Sequence, residues 1–417
     1  MLYDRFLSEQ PEAAQEALRR RHAGAAAEKT LDQWLAFEAT RRKTAARRDA
    51  LALALRSLRE SAAAGELRAA ERELRAVEEA LVITEAQARR LLLRLPNLPD
   101  QRVPSGRGAA HHQELRRWGE PPIFSFTPRR HDDLGAALGI LDLPRATRLA
   151  GPRFPLLVGA GARLSRALAA FMLDMHTARG YTEIAPPHLL NAETLEGTGH
   201  LPRHEDDLYS ITRDGLLLSP TAEAQLVALH AGETLVATAL PLAYTACTPA
   251  FRREAGSSRA ATRGLIRQHQ FDKVELVRIV APEDADTAFE TLLADAEAVL
   301  RRLELPYRVV ALPAGDLPFA SQRTYDLEVW MPGQGSYVEI SSISDCGPFQ
   351  ARRLKLRYRP SGGGRARYPH TLNGSALAIG RTLAALLENG QRADGSLALP
   401  SALAPYFPDR LLIPPER

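Results

Sequence analysis

Between residues 27 and 95 the chain holds one glycine and no proline, and Ala, Leu, Arg and Glu dominate it. That composition predicts long helices. In its second half Leu67, Leu74, Leu81, Ala88 and Leu95 recur every seven residues, and Ala70, Val77, Thr84 and Leu91 follow three positions after the first four. Such a repeat is a coiled-coil seam. Thr30, Phe37, Thr44, Leu51 and Leu58 fit the same step in the first half, with Arg41 and Arg48 close to the seam. The pattern breaks around Ser61 to Gly65. Two helices folded back as an antiparallel hairpin are expected, each of about 30 residues and roughly 45 Å.

Prolines and glycines then punctuate the chain at Pro96-Asn97-Leu98-Pro99 and Val103-Pro104-Ser105-Gly106, which sets a domain boundary and divides the sequence into 1–102 and 103–417. From Gly161 a helical period returns, with Leu164, Leu168, Phe171 and Met175 on one face and Gly180 as its stop. Tyr181-Thr182-Glu183-Ile184 follows as a strand running into Pro186-Pro187. Leu216-Leu217-Leu218 is an apolar strand that turns through Ser219-Pro220 into Thr221-Ala222-Glu223, the start of a capped helix. Phe251 to Val280 reads as two strands joined by a long polar loop. Tyr325–Trp330 and Tyr337–Ser342 alternate on either side of Pro332-Gly333-Gln334-Gly335 and form a hairpin. Thr371 to Thr382 runs into the apolar-periodic Leu383 to Glu388, and the Gly-rich Ser361 to Gly364 before it reads as a flexible loop.

Composition narrows the class. A chain of 417 residues, 45% hydrophobic, affords a large domain and a smaller one, and a net charge of +4 neither requires nor excludes a polyanionic partner. Its distribution is more telling. Residues 29 to 59 carry 8 Lys/Arg and 3 Asp/Glu, whereas residues 60 to 94 carry 6 and 7, so one arm of the hairpin is basic. The two cysteines, Cys247 and Cys346, stand far apart without CxxC or Cys/His spacing, which excludes a zinc motif and a disulfide framework and points to a reducing cytoplasm. His111-His112 has no partner at ligand spacing and reads as linker. Neither a signal peptide nor an apolar run of membrane-spanning length is present. The phosphate-binding patterns G-x-x-x-x-G-K-[ST] and G-x-G-x-x-G are absent too.

Candidate chemistry concentrates in the Phe251–Val280 hairpin, where Arg252, Arg253, Arg259, Arg263 and Arg267 crowd together with Glu254, Phe271 and Glu275. Guanidinium groups grip phosphate oxygens and an aromatic ring offers a flat face to a base. Phe251-Arg252-Arg253-Glu254, the following Ala-Gly-Ser and the run Thr262 to Phe271 resemble motif 2 of class II aminoacyl-tRNA synthetases, in detail the seryl-tRNA synthetases. The resemblance recurs in the family's order along nearly the whole chain. Pro187 matches the signature proline of motif 1, which in the family forms a homodimer interface, and Thr371 to Thr382 resembles motif 3. An α+β fold is implied, with an N-terminal helical arm that reaches the variable arm of tRNA(Ser) and a class II antiparallel sheet flanked by helices.

Carried over by position, the resemblance makes Arg252, Glu254 and Arg381 catalytic. Arg252 would hold the α-phosphate and the substrate carboxylate, Glu254 the adenine amino group, and Phe271 the base, with Arg381 over its other face. Thr221, Ala222, Glu223, Glu275 and Ser375 match the L-serine site. Arg253, Glu339, Ile340, Ser341 and Ser342 complete the ATP site, and Glu339 and Ser342 would hold Mg2+. The implied reaction activates L-serine with ATP and loads tRNA(Ser), allowing tRNA(Sec) as a further acceptor. Other readings stay open: an amino acid ligase acting on a carrier protein, a synthetase-like RNA binder without catalysis, and a specialised second copy for self-resistance or natural-product synthesis. The last rests on departures from the family pattern at Pro313-Ala314, Ile343, Asp345, Ala376 and Gly390, several of which are expected to flank the serine site.

Overall fold

The computed structural model describes residues 1–61, 64–255, 263–408 and 411–412, so Arg259 and Thr262 lie outside the described residues. Two compact units divide the chain, Met1–Leu98 and Pro99–Arg417. The first consists of helices α1 (Asp4–Glu9), α2 (Pro11–Arg20), α3 (Ala25–Ser61) and α4 (Ala64–Arg94). Ion pairs Arg41–Glu85 (3.9 Å), Arg47–Glu73 (2.6 Å) and Arg59–Glu71 (3.6 Å) descend one long helix as they climb the other, so α3 and α4 are antiparallel. These exposed pairs set register more than they add stability.

On α4, Val77, Leu81 and Ala88 are buried where the heptads put them, as is Leu95 just past its end. The first half differs. Its best-buried positions are Leu31, Trp34, Glu38 and Leu55, while Phe37, Thr44, Leu51 and Leu58 are half-buried. Trp34 and Leu55 share a seven-residue step with Arg41 and Arg48, and α1 and α2 pack on the N-terminal half of α3 and cover a second side of it. Glu38 accepts from Arg41 (2.7 Å) and Arg42 (2.8 Å), and the Arg41 hydrogen bond keeps its carboxyl below the usual carboxylate range.

In the second unit the described residues form an eight-stranded sheet. Its strands are β1 (Gln113–Trp118), β2 (Thr182–Glu183), β3 (Leu242–Phe251), β4 (Gln270–Val280), β5 (Tyr307–Ala311), β6 (Arg323–Met331), β7 (Ser336–Asp345) and β8 (His370–Ala378). They lie in the order β1-β5-β6-β7-β8-β4-β3-β2, antiparallel throughout except where β2 joins β3. Helices α5 (His131–Ala137), α6 (Ala160–Thr177), α7 (Ala222–Ala228), α8 (Ala285–Arg302), α9 (Phe349–Leu354) and α10 (Ile379–Asn389) flank it. The period of two sorts its faces. On β4, Val274, Leu276 and Val280 join Phe171, Phe289, Leu292 and Leu383 in the main core, and Val277 and Ile279 pack with Ala222, Leu226 and Val227 on the opposite side. That opposite side is also where Phe271, Lys273 and Glu275 point. The architecture is the expected α+β one: a helical hairpin, and an antiparallel sheet flanked by helices.

The loop between β3 and β4 returns through Arg263 and is pinned by α5. The Leu265 N–H donates to His131 Nε2 (3.0 Å), so the ring proton sits on Nδ1 and is donated to Glu388 Oε1 (2.7 Å). Glu388 also accepts from the N–H groups of His131 (3.1 Å) and Gly333 (2.8 Å), which satisfies a fully buried carboxylate. Gly264 crosses this pair at φ +76°, and a Cβ there would stand 2.1 Å from His131 Nε2. Gly264→Ala is therefore expected to cost at least about 2 kcal/mol, the sum of left-handed strain and a forced shift of His131. Calorimetry should show a melting temperature several degrees lower; an unchanged one would mean that the loop is not held by α5.

Candidate functional site

A cavity of about 960 Å³ opens on the polar face of the sheet. Thr221, Glu223, Glu275 and Ser375 line it, together with Arg252, Glu254, Phe271 and Arg381, and with Glu339, Ile340 and Ser342. Three expected residues do not. Ala222 is fully buried in the smaller core, and Arg253 sits over the Tyr209 ring (5.9 Å). Ser341 Oγ donates to the Ser375 carbonyl (2.6 Å) and braces β7 against β8.

Thr221 caps α7, its Oγ1 accepting from the Glu223 N–H (3.2 Å). The same hydroxyl donates to Glu275 Oε2 (3.0 Å) and accepts from Lys273 Nζ (2.8 Å), and Lys273 pairs directly with Glu275. Glu275 is 1% exposed and Lys273 7%, so neither charge would be tolerable alone. Lys273 is the residue that sequence reasoning missed here, although its place two positions from Glu275 put it on the same face. Its consequence is chemical: Glu275 already has a cation, which leaves Glu223 as the carboxylate free to meet a positively charged ligand.

Glu223 is positioned by Gln350, whose Nε2 donates to Glu223 Oε1 (2.7 Å) and to the Thr198 carbonyl (3.1 Å), while its Oε1 accepts from Thr371 (2.6 Å). No motif marks Gln350 in the sequence; α9 delivers it from 127 residues away. Burial, with Glu275 as a second cause, pushes the Glu223 carboxyl up to about 7. His200 also lines the cavity, and burial with nearby cations lowers its ring to about 3, so it is neutral.

The anion-binding groups converge from three elements. Arg252 Nε donates to the Pro220 carbonyl (3.1 Å), which leaves its other nitrogens toward the cavity, and its guanidinium stands 5.4 Å from the Phe271 ring centroid. Arg381, from the first turn of α10, donates to the carbonyls of Ile266 (3.1 Å) and Glu339 (2.7 Å) and pairs with the Glu339 carboxylate (3.1 Å). That pairing holds the Glu339 carboxyl below its usual range. Glu254, at φ +52°, meets Arg267 (2.9 Å). Asp326 lies opposite Ser342 across β6 and β7; burial, then the charge of Glu339, raises its carboxyl well above normal, and its Oδ1 is buried without a hydrogen-bond partner.

The departures from the family pattern do not shape this cavity. Ser342 and Ser344 face it, so Ile343 between them points to the main core and covers Gly374, where a Cβ would meet Ile343 Cδ1 at 2.3 Å. Ala376 is in the same core. Asp345 accepts from the Gly347 N–H (2.7 Å) and Gln322 (3.0 Å), and Ala314 takes the Pro104 carbonyl (2.8 Å). Gly390 approaches the Ala398 carbonyl so closely that a Cβ would stand 2.3 Å from it. The alternation of the strands turns Ile343 and Ala376 away from the cavity and into the core, which runs against the expectation that these two reshape the ligand pocket.

Comparison with known proteins agrees with the geometry. The tRNA synthetase class II core domain (G, H, P, S and T) matches residues 208–390. The chain is 57% identical over 336 residues to a serine–tRNA ligase of Acidithiobacillus ferrooxidans, covering 80% of this chain and 79% of that one. It is 47% identical over 420 residues to a serine–tRNA ligase of Synechococcus elongatus, covering 98% of each. The crystal structure of a seryl-tRNA synthetase from Pyrococcus horikoshii complexed with ATP superposes with a TM-score of 0.92 at 32% identity, covering 100% of both chains.

The raised Glu223 carboxyl gives a test that needs no ligand. Because its charged form is disfavoured, the group in the free cavity should be protonated below about pH 7 and ionised above it. Carboxyl NMR should find one glutamate titrating near neutrality, and Glu275→Gln should move it down by removing a like charge. A Glu223 signal that titrates in the usual carboxylate range would contradict the burial argument.

Proposed function

Because the chain belongs to the seryl-tRNA synthetases of class II, we propose how its own residues carry the family's two steps. The enzyme is a ligase that forms aminoacyl-tRNA. The serine carboxylate attacks the α-phosphate of ATP, pyrophosphate leaves, and a terminal ribose hydroxyl of tRNA then attacks the seryl carbonyl and displaces AMP. Such phosphoryl chemistry rests on positioning and on offsetting charge, with no nucleophilic side chain required.

Glu223 receives the serine ammonium, a role supported by the pairing of Glu275 with Lys273. Thr221 and Glu275 present the hydroxyl partners, beside Ser375 on β8. A site built to hydrogen-bond a hydroxyl rejects alanine by roughly 10⁴ to 10⁵, because its buried polar groups would be left unpaired. Arg252 holds the α-phosphate and the reacting carboxylate, Phe271 stacks on the adenine, Glu254 accepts from its amino group, and Arg381 closes the other face. A magnesium ion would sit at Glu339 and Ser342 with Asp326 beside them, where the orphaned Asp326 Oδ1 is a hard oxygen suited to it. The described residues hold no group of three His, Cys, Asp or Glu that could bind a metal, so phosphate oxygens and water would complete the shell, as magnesium commonly requires. Bound there, it would offset phosphate charge.

The helical hairpin is the tRNA(Ser) arm in this reading, its basic α3 meeting phosphates and reading shape more than sequence, and tRNA(Sec) is a further acceptor of the same form. A homodimer through α6 and β2 is supported by the two-residue edge strand and by Gln225, which donates to the Pro187 carbonyl (3.1 Å) and ties that edge to the helix carrying Glu223. No helix among the described residues is long and apolar enough to cross a membrane, and we place the enzyme in the cytoplasm.

Serine-dependent ATP–pyrophosphate exchange followed by tRNA charging tests the reading. Arg252→Ala should lose about 10²-fold in exchange, about 3 kcal/mol, the scale for removing one preorganised charge partner; exchange at the wild-type rate would take Arg252 out of the site. Removing residues 29–94 should leave exchange nearly intact while charging falls and loses salt dependence. Equal loss in both steps would contradict the division of labour between arm and cavity.

A further inference from the structure

Residues 352 to 367 contain seven Lys/Arg and no Asp/Glu, a local density that no assigned step uses. Arg357–Arg359 form a short strand, parallel to Thr234–Val236 on one side and bridged on the other through Tyr358 to Arg367. The period of two buries Tyr358 and turns Arg357 and Arg359 outward together. The antiparallel bridge brings Tyr368 beside Arg357 on that face. Its ring has Arg357 at 5.4 Å and Arg352 at 5.5 Å, and its hydroxyl accepts from Arg357 (3.3 Å). Lys355, at φ +56° just past α9, and Arg365 are exposed nearby in sequence.

Of the carboxylates on neighbouring elements, Glu283 takes Arg367 of the ribbon itself (3.4 Å), Asp284 acts on the buried Tyr358, and Glu233 is held by His230 (2.7 Å). Thr234-Leu235-Val236 brings none. Among the described residues, Lys355, Arg357, Arg359 and Arg365 have no ion pair, so the ribbon repels itself unless an anion covers it.

We propose that this ribbon is a second RNA-docking surface, on the catalytic unit itself, which takes the sugar–phosphate backbone of the tRNA being charged; the inference rests on the function proposed above. Arg357 and Arg359 stand two residues apart on a strand, about 6.6 Å, a spacing that matches successive phosphates of one chain. Tyr368 steadies the Arg357 guanidinium through a cation–π contact (5.4 Å) and a hydrogen bond to its hydroxyl (3.3 Å), leaving other N–H groups for phosphate. Such contacts carry no base specificity and contribute affinity that falls with salt.

The test compares the full-length protein with Arg357→Gln/Arg359→Gln and with Lys355→Gln/Arg365→Gln. KM for tRNA in charging is read from about 50 to 200 mM KCl, beside serine-dependent exchange. Each double variant should keep exchange within about twofold, raise KM for tRNA about 10- to 100-fold near physiological salt, and flatten its salt slope by about 2. Arg357→Lys/Arg359→Lys should retain most of the slope. Unchanged KM and slope in both Gln pairs, with exchange intact, overturn the surface. Absence of exchange in the wild-type protein overturns the function proposed above, and the inference falls with it. Should a variant misfold, phenylglyoxal labelling of Arg357 and Arg359 in the wild-type protein decides: protection by tRNA supports the surface, and equal labelling with and without tRNA overturns it.

Discussion

The buried pair of Lys273 and Glu275 decides what the rest of the cavity can do. Two opposite charges on one face of one strand satisfy each other and share Thr221, so that end of the cavity is polar yet close to neutral. Removing either partner would strand a buried charge at a cost of about 3 to 5 kcal/mol. In the function proposed above, with Glu275 spoken for, the raised carboxyl of Glu223 is the group that would respond to an incoming cation, and Arg252 and Arg381 would handle negative charge. On that proposal, the separation of cation and anion sites within one cavity would follow from that single pairing.

Much of this was legible because the sheet obeys a period of two. Phe271 and Glu275 could be placed together from the sequence, as could the strand-to-helix turn at Thr221 and the hairpin around Pro332. The α4 seam was equally plain, since a single heptad row faces a single neighbour. On α3 the reading slipped because α1 and α2 cover a second side, and a helix packed on two sides buries more than one row. Gln350, His131 and Glu388 were beyond sequence patterns for a different reason. Each acts through a hydrogen bond to a residue more than 100 positions away, and only the topology brings such partners together.

The departures from the family pattern show the limit of reading a motif as a list of neighbours. Ile343 and Ala376 adjoin cavity residues in sequence, yet in a strand adjacency means opposite faces. Their side chains meet the main core, where Ile343 fills the space over Gly374. At this position the side chain serves the packing of the core and does not line the cavity. Gly390 is likewise set by packing, because its close approach to the Ala398 carbonyl leaves no room for a Cβ.

Charge distribution supplies the remaining constraint. A net charge of +4 over 417 residues conceals two concentrations of cations, one along α3 and one at residues 352 to 367, in separate compact units. On α3 several arginines are paired within the hairpin, as Arg41 and Arg42 are with Glu38 and Arg47 with Glu73. Such cations must exchange an existing partner for a phosphate, so their net contribution to binding is reduced. Cations without an ion-pair partner give up hydration but no salt bridge on meeting one, and release of the counterions around the RNA then favours contact. The shorter ribbon, on the inference above, can therefore rival the longer arm in electrostatic affinity.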